Sequence, residues 1–292
     1  MTRVLIANPW ATGVDEKRLE AVRASLPGDT ELRLTSARGE ATDIAREVSG
    51  GVEALYVFGG DGTYNEVLNG IDATTPLGFI PGGGTSVLPR ALGLPRDAVA
   101  AARRVSASRG ARRISLGRVN GRRFGFAAGL GIDAELVRTV DLLGRRPDGR
   151  RPGDLAFAWT SLRALSRERF RLEPALEVKG HGRAAFVLVS NAPAYTYAGP
   201  VPLRVAGGAS FEHGLDLVAP VRVRPRNLPR IVRYAVSGVR VSGARDVLYV
   251  HDADRLEVIC DRPLPLQVDG EDLGDVEHAV FEAERDAVTV LT

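Results

Sequence analysis

Over the first third of the chain, short apolar runs alternate with stretches whose apolar residues recur at helical spacing. Residues 3–7, 31–34, 54–58 and 77–80 read as strands. Residues 16–26, with Leu19, Val22 and Leu26 along one face, read as a helix, as do 41–48, 63 to about 69, 85–92 and 96–105. This alternation predicts a mostly parallel sheet covered on both faces, in which ligands bind beyond the carboxyl ends of the strands. Near Arg112 the pattern changes. Runs at 112–119, 123–128, 172–178, 184–190, 215–218, 247–250, 255–260, 265–268, 279–283 and 287–291 follow one another between Gly, Pro and Asp, interrupted by helices at 134–143, 154–165 and about 227–239. They predict an antiparallel sheet or sandwich. The expected organisation is an α/β domain at 1–111 and a β-rich domain at 112–292, with the active site in the cleft between them.

The stretch richest in chemical meaning joins the strand at 54–58 to the helix after it: Gly59-Gly60-Asp61-Gly62-Thr63-Tyr64-Asn65-Glu66. Gly59, Gly60 and Gly62 permit backbone angles closed to other residues and let the main chain come close to a ligand, with amide N–H groups aimed at phosphate oxygens. The helix that Thr63 opens favours anions at its N-terminus. A carboxylate among phosphates repels them unless a divalent cation lies between, so Asp61 points to a metal-bound nucleotide. Three more loops leave strands at the same end: Asn8-Pro9-Trp10-Ala11-Thr12-Gly13, Thr35 with Gly39, and Pro81-Gly82-Gly83-Gly84-Thr85. Four such loops suit a nucleoside triphosphate, although neither the Walker loop nor the dinucleotide fingerprint is present.

Composition narrows the partners. The chain has 292 residues, 44% of them apolar, enough for one large domain or two ordinary ones. A net charge of +3 does not argue for nucleic acid. Arginine supplies nearly all the positive charge, since Lys17 and Lys179 are the only lysines. Cys260 is the single cysteine, which excludes an intrachain disulfide and a cysteine-built zinc site; in its apolar run it reads as a small core residue. The first residues lack the tiers of a signal peptide, and no apolar run approaches the ~20 residues that cross a bilayer. A cytoplasmic protein is expected, with any membrane contact peripheral. Two basic segments bear on that contact. Residues 145–153 carry Arg145, Arg146, Arg150 and Arg151 among Pro and Gly, and read either as a solvated loop or as a patch for anionic headgroups. The helix opened by Pro225 has Leu228, Ile231, Val232, Ala235, Val236 and Val239 on one face, with Arg226, Arg230, Arg233 and Arg240 around it. It reads as packed on its own core or as lying in a membrane interface.

Residues 59–66 resemble the signature of the diacylglycerol kinase catalytic domain, shared with sphingosine and ceramide kinases and bacterial lipid kinases. Pro81-Gly82-Gly83-Gly84-Thr85-Ser86-Val87-Leu88-Pro89-Arg90-Ala91-Leu92-Gly93-Leu94-Pro95 is similar to the family's second nucleotide motif. Gly129-Leu130-Gly131-Ile132-Asp133-Ala134 and Gln267-Val268-Asp269-Gly270-Glu271 resemble two further stretches, so the likeness spans essentially the whole chain. It implies an NAD-kinase-like α/β nucleotide domain followed by a β-sandwich domain for the lipid. ATP would lie against Asn8, Pro9, Gly13, Thr35, Gly59, Gly60, Asp61, Gly62, Thr63, Asn65 and Thr85. Asp61 would stand at the magnesium, and Glu271 at the family's proton acceptor, where a carboxylate takes the proton of a lipid hydroxyl as the γ-phosphoryl group arrives. Asp269-Gly270-Glu271-Asp272 also reads as an acidic hairpin turn. The implied reaction is transfer of the γ-phosphoryl group of ATP to diacylglycerol or a similar lipid. The partners expected are that lipid at the membrane surface and a second copy of the chain.

Three positions depart from the family pattern. Ser86 stands where the family usually has Asn. His213-Gly214-Leu215-Asp216 replaces a longer acidic stretch, and imidazole suits magnesium poorly, though Asp216 remains as a metal-site and catalytic candidate beside Glu271. Trp10 replaces a small residue and reads as an adenine platform or a cover for the sheet edge. The nearest enzymatic alternative is NAD kinase, which shares the Gly-Gly-Asp-Gly-Thr turn but carries its Asn-Glu pair well downstream, whereas Asn65-Glu66 follows the turn here. A lipid- or nucleotide-binding relative without turnover is the other.

Overall fold

The computed structural model describes residues 2–108, 110–142, 171–238 and 244–292. The Arg145–Arg151 loop, the helix expected at 154–165 and positions Val239 and Arg240 lie outside them. The chain divides into two compact units: 1–116 with 285–292, and 117–284.

In the first unit, elements alternate strictly: β1 (Arg3–Ala7), α1 (Glu16–Arg23), β2 (Thr30–Leu34), α2 (Glu40–Val48), β3 (Ala54–Gly59), α3 (Asp61–Leu68), β4 (Pro76–Pro81), α4 (Val87–Ala91) and α5 (Ala98–Ala107). All strand pairs here are parallel, in the order β2-β1-β3-β4. Beyond β4 the sheet gains the end of the last strand, where Thr289 and Val290 pair with Pro76 and Leu77. Through this parallel pairing the last eight residues join the first unit. β1 and β3 are buried through Leu5, Ile6, Leu55, Val57 and Phe58, and Val22, Ile44, Val67 and Val105 of the helices are buried as well. Such strands read as continuous apolar runs because both faces of a parallel sheet are covered.

The second unit begins within β5 (Ala111–Val119) and adds β6 (Arg122–Phe124), β7 (Ala127–Leu130), α6 (Ile132–Leu142), β8 (Leu176–Val178), β9 (Gly182–Ala184), β10 (Val187–Ser190), β11 (Thr196–Ala198), β12 (Val201–Leu203), β13 (Leu215–Pro220), α7 (Leu228–Ser237), β14 (Val247–Ala253), β15 (Arg255–Val268) and β16 (Glu271–Leu291) as far as Glu284. Its pairings are antiparallel. Val119, Phe124, Leu130, Val189, Leu217, Val258, Leu266 and Phe281 from seven strands meet in one core. The two runs read at 255–260 and 265–268 are a single strand whose register slips between Ile259 and Leu264, beside Pro263 and Pro265, which cannot donate to a ladder. Conversely, the single strand expected at 123–128 breaks at Gly125 and Phe126. The small β11–β12 hairpin escaped the sequence reading, although Gly199-Pro200 marks its turn. α7 starts at Leu228 with Pro229 in its first turn, so Pro225 lies outside it, and Gly238 caps its end in the left-handed region. Cys260 is buried in the core, which pushes its thiol up to about 11.

Arg138 of α6 holds the start of β16, donating to both carboxylate oxygens of Asp272 (2.8 and 3.0 Å) and to Asp275 (2.6 Å). The guanidinium holds the Asp272 carboxyl below its ordinary value. A carboxyl with a lowered folded pKa adds stability above its unfolded pKa of ~3.9, and that stability is lost as the pH falls through the lower folded value. Arg138→Met is therefore expected to cost up to about 1 kcal/mol in urea unfolding at pH 6–7 and progressively less toward pH 3. A cost independent of pH would deny the pair its charge.

Candidate functional site

The strand order of the first unit reverses at β1. The chain places β2 on one side and then crosses to β3 on the other, so the loops after β1 and β3 flank the point where parallel sheets bind ligands. β3 is buried along its whole length and passes through Gly59 and Gly60 directly into α3. Gly60 is extended (φ −105°, ψ −179°) and serves as N-cap without a side chain, so the partial positive charge of the first turn can attract an anion. α3 begins at Asp61, two residues before the expected Thr63, which puts Asp61 in its first turn. The Asp61 Oδ1 accepts from the Leu88 amide of α4 at 3.3 Å.

Three of the expected loops interlock. The Gly13 amide donates to Gly82 O at 2.7 Å, the Gly82 amide donates to Gly59 O at 2.7 Å, and Asn8 Nδ2 donates to Thr63 Oγ1 at 2.9 Å. A Cβ on Gly82 would sit 2.7 Å from the Val14 side chain, one on Gly83 2.9 Å from Gly60 Cα, and one on Gly59 2.7 Å from Thr63 Oγ1. None of Gly59, Gly60 and Gly62 has a positive φ. The expectation that they supply unusual backbone angles is thus corrected: a Cβ on Gly59 is barred by the Thr63 side chain, while Gly13, Gly82 and Gly83 are barred from carrying one by neighbouring main chain. Thr35 follows β2, buried, with its amide donating to Ala7 O at 3.0 Å. Asn65 is fully buried on α3, Pro9 is exposed and Thr85 partly so. Trp10 is 67% exposed, with its amide donating to Asn8 Oδ1.

Two residues of the same motif have roles the sequence reading missed. The buried Tyr64 hydroxyl lies 2.7 Å from Gly59 O and 2.8 Å from Ile80 O, bracing the ends of β3 and β4. Burial and then the charge of Asp61 push its pKa well up, so it stays a donor. Glu66 accepts from the Gly39 and Ala41 amides at 2.9 and 3.3 Å and caps α2. Ser86 sits in the left-handed region at φ 49°, with its hydroxyl against Gly83 N and O at 3.2 and 3.3 Å. That conformation favours Asn over Ser, so the departure noted in the sequence carries a backbone cost. It also explains why α4 is a single turn starting at Val87.

In the second unit Asp269 (φ 49°) and Gly270 (φ 80°) form the two-residue turn of the β15–β16 hairpin, closed by the pair Val268 and Glu271. Asp269 is buried, and its carboxylate accepts from Gly125 N (2.6 Å), Phe126 N (3.0 Å) and Ala127 N (3.1 Å), which is what breaks the strand expected at 123–128. Glu271 is 12% exposed, its Oε2 3.7 Å from Arg122. The turn and the candidate acceptor are thus one feature. Asp216 is wholly buried; its carboxylate accepts from Tyr249 OH at 2.7 Å and from the Asp252 amide at 3.1 Å and pairs with His251 Nδ1 at 2.8 Å. None of these bonds reaches Glu271. A carboxylate so engaged fits a magnesium ligand poorly, and among the described residues no three His, Cys, Asp or Glu side chains gather as a metal set. A cation at Asp61 would draw its remaining ligands from phosphate and water, as magnesium commonly does.

The sequence matches the profile of the diacylglycerol kinase catalytic domain over residues 2–119. It is 30% identical over 252 residues to the diacylglycerol kinase of Bacillus subtilis, covering 83% of this chain and 79% of that one. A shorter match, 38% over 101 residues, covers 33% of this chain and 32% of a Staphylococcus saprophyticus diacylglycerol kinase. The fold matches a diacylglycerol kinase of Bacillus anthracis with a TM-score of 0.71 at 20% identity, covering 99% of this chain and 96% of that one. It also matches an NAD kinase of Archaeoglobus fulgidus solved with ATP, at 0.50 and 12% identity, covering 100% and 94%. Among the described residues no helix is long and apolar enough to cross a membrane. The chain belongs to the diacylglycerol kinase family, and it is a phosphotransferase that acts on an alcohol group.

Proposed function

We propose that this kinase transfers the γ-phosphoryl group of ATP, with magnesium, to the free hydroxyl of diacylglycerol or a closely similar lipid. The observation that carries the reading is the interlocked set of glycine loops after β1, β3 and β4, set beside the uncapped N-terminus of α3 at the reversal of strand order. Loops pressed together without Cβ atoms offer backbone amides to phosphate, and Asn8, Pro9, Gly13, Thr35, Gly59, Gly60, Gly62, Thr63, Asn65 and Thr85 are the nucleotide-binding positions assigned. Asp61 holds the cation, which supplies charge neutralisation at the triphosphate. Glu271 accepts the proton of the lipid hydroxyl. Asp216 is assigned the positioning of Tyr249 and His251 and no ligand role. Peripheral contact with the membrane surface accompanies a lipid acceptor.

The test is γ-labelled ATP with mixed micelles of diacylglycerol, a sphingoid base, phosphatidylglycerol or a prenol, and NAD in a parallel arm. Label in the diacylglycerol product, dependent on magnesium, is the expected result. No label in any lipid while a known kinase labels its own alongside, or turnover of NAD to its phosphate, overturns the proposal.

A further inference from the structure

Gln267, on β15 just before the Asp269-Gly270 turn, is 2% exposed and has no part in the transfer as assigned. Its Oε1 accepts from the Gly270 amide at 3.0 Å. Its Nε2 donates to Asp133 Oδ2 at 2.8 Å and lies 3.0 Å from the Tyr195 hydroxyl. Tyr195, also buried, donates to the same Asp133 oxygen at 2.6 Å. The arrangement uses the bare backbone of Gly129: a Cβ there would lie 2.0 Å from Asp133 Oδ2 and 3.0 Å from Gln267 Nε2, so the Asp133 carboxylate would have to shift. As a carboxylate Asp133 only accepts, and the Gly270 amide can only donate, so together they fix which end of the Gln267 amide points which way. A buried amide satisfied at both ends holds a single rotamer, and here one of those ends is the turn that carries Glu271. On the other side of the turn, Asp269 is pinned by three backbone amides.

We infer that Asp133, Tyr195 and Gln267 are positioning residues for the phosphoryl transfer: a hydrogen-bonded chain that locks the Asp269-Gly270 turn and thereby the direction in which Glu271 presents its carboxylate. The inference rests on Glu271 as proton acceptor and deepens that reading. Misplacing a catalytic group by about 1 Å costs on the order of 100-fold, so a lost lock is read mainly in kcat.

The experiment is a double-mutant cycle on the full chain with ATP and diacylglycerol micelles, using Gln267→Leu and the milder Tyr195→Phe, each alone and combined with Glu271→Gln. Expected is a roughly 10- to 100-fold fall in kcat for each single variant with KM for ATP within about twofold, and little further fall when either is added to Glu271→Gln. An equal fold-loss in the Glu271→Gln background, or a kcat unchanged in a folded Tyr195→Phe, overturns the inference while an inactive Glu271→Gln leaves the proton-acceptor reading standing. A fully active Glu271→Gln overturns both.

Discussion

Glu271→Gln is expected to lower the phosphorylation rate by roughly 10²–10⁴-fold while leaving ATP affinity within about twofold. The substitution keeps the size of the side chain and an oxygen for Arg122, which lies 3.7 Å from the carboxylate, so the hairpin should survive it. What it removes is basicity. A lipid hydroxyl is a poor nucleophile, and an amide cannot take its proton. The magnitude separates two readings of the same four residues. An acidic hairpin turn with no chemical part would tolerate the change, because the turn conformation belongs to Asp269 and Gly270, both at positive φ. A rate in Glu271→Gln equal to the parent's would return the turn to a purely structural role.

Asp61→Asn is expected to lose about 10²–10³-fold in rate and to raise the magnesium concentration needed for half-maximal activity. The amide oxygen of Asn can still accept from the Leu88 amide, so the tie between α3 and α4 is kept. The charge is not. If Asp61 holds the cation at the triphosphate, removing one negative charge weakens the metal before it disturbs the fold, and excess magnesium should restore part of the rate. An unchanged rate with an unchanged magnesium dependence would leave Asp61 as a helix-to-helix tie alone. Measuring both variants separates the phosphoryl donor from the proton acceptor, since only Asp61→Asn should move the magnesium curve.

Much of this protein is legible along the chain because parallel strands buried on both faces are written as uninterrupted apolar runs. Residues 3–7 and 54–58 needed no tertiary information, and the end of each strand announced its loop with glycine or a hydroxyl residue. The Gly59–Glu66 stretch was readable for the same reason: its chemistry is local, a strand end, a turn and a helix start in eight residues. The capping role of Glu66 is not legible in the motif because its partner, the N-terminus of α2, lies about 25 residues away in sequence. The partners of Asp216 on β14 are hidden likewise, since they lie more than 30 residues further on.

By itself the sequence determined the alternation of strands and helices in the first third, the switch from parallel to antiparallel architecture and the family, all of which follow from local periodicity and contiguous motifs. Only the tertiary structure decided why Gly13, Gly82 and Gly83 are glycine: three main chains meet where a single Cβ would collide, and that crowding is invisible until β1, β3 and β4 lie side by side. It also decided that Asp269 anchors a turn, that Asp216 is enclosed by Tyr249, His251 and the Asp252 amide, and that Gln267, Tyr195 and Asp133 form one chain behind Glu271. Those are pairings of polar groups distant in sequence, and a buried polar group's role is set by whichever partner the fold brings within hydrogen-bond reach.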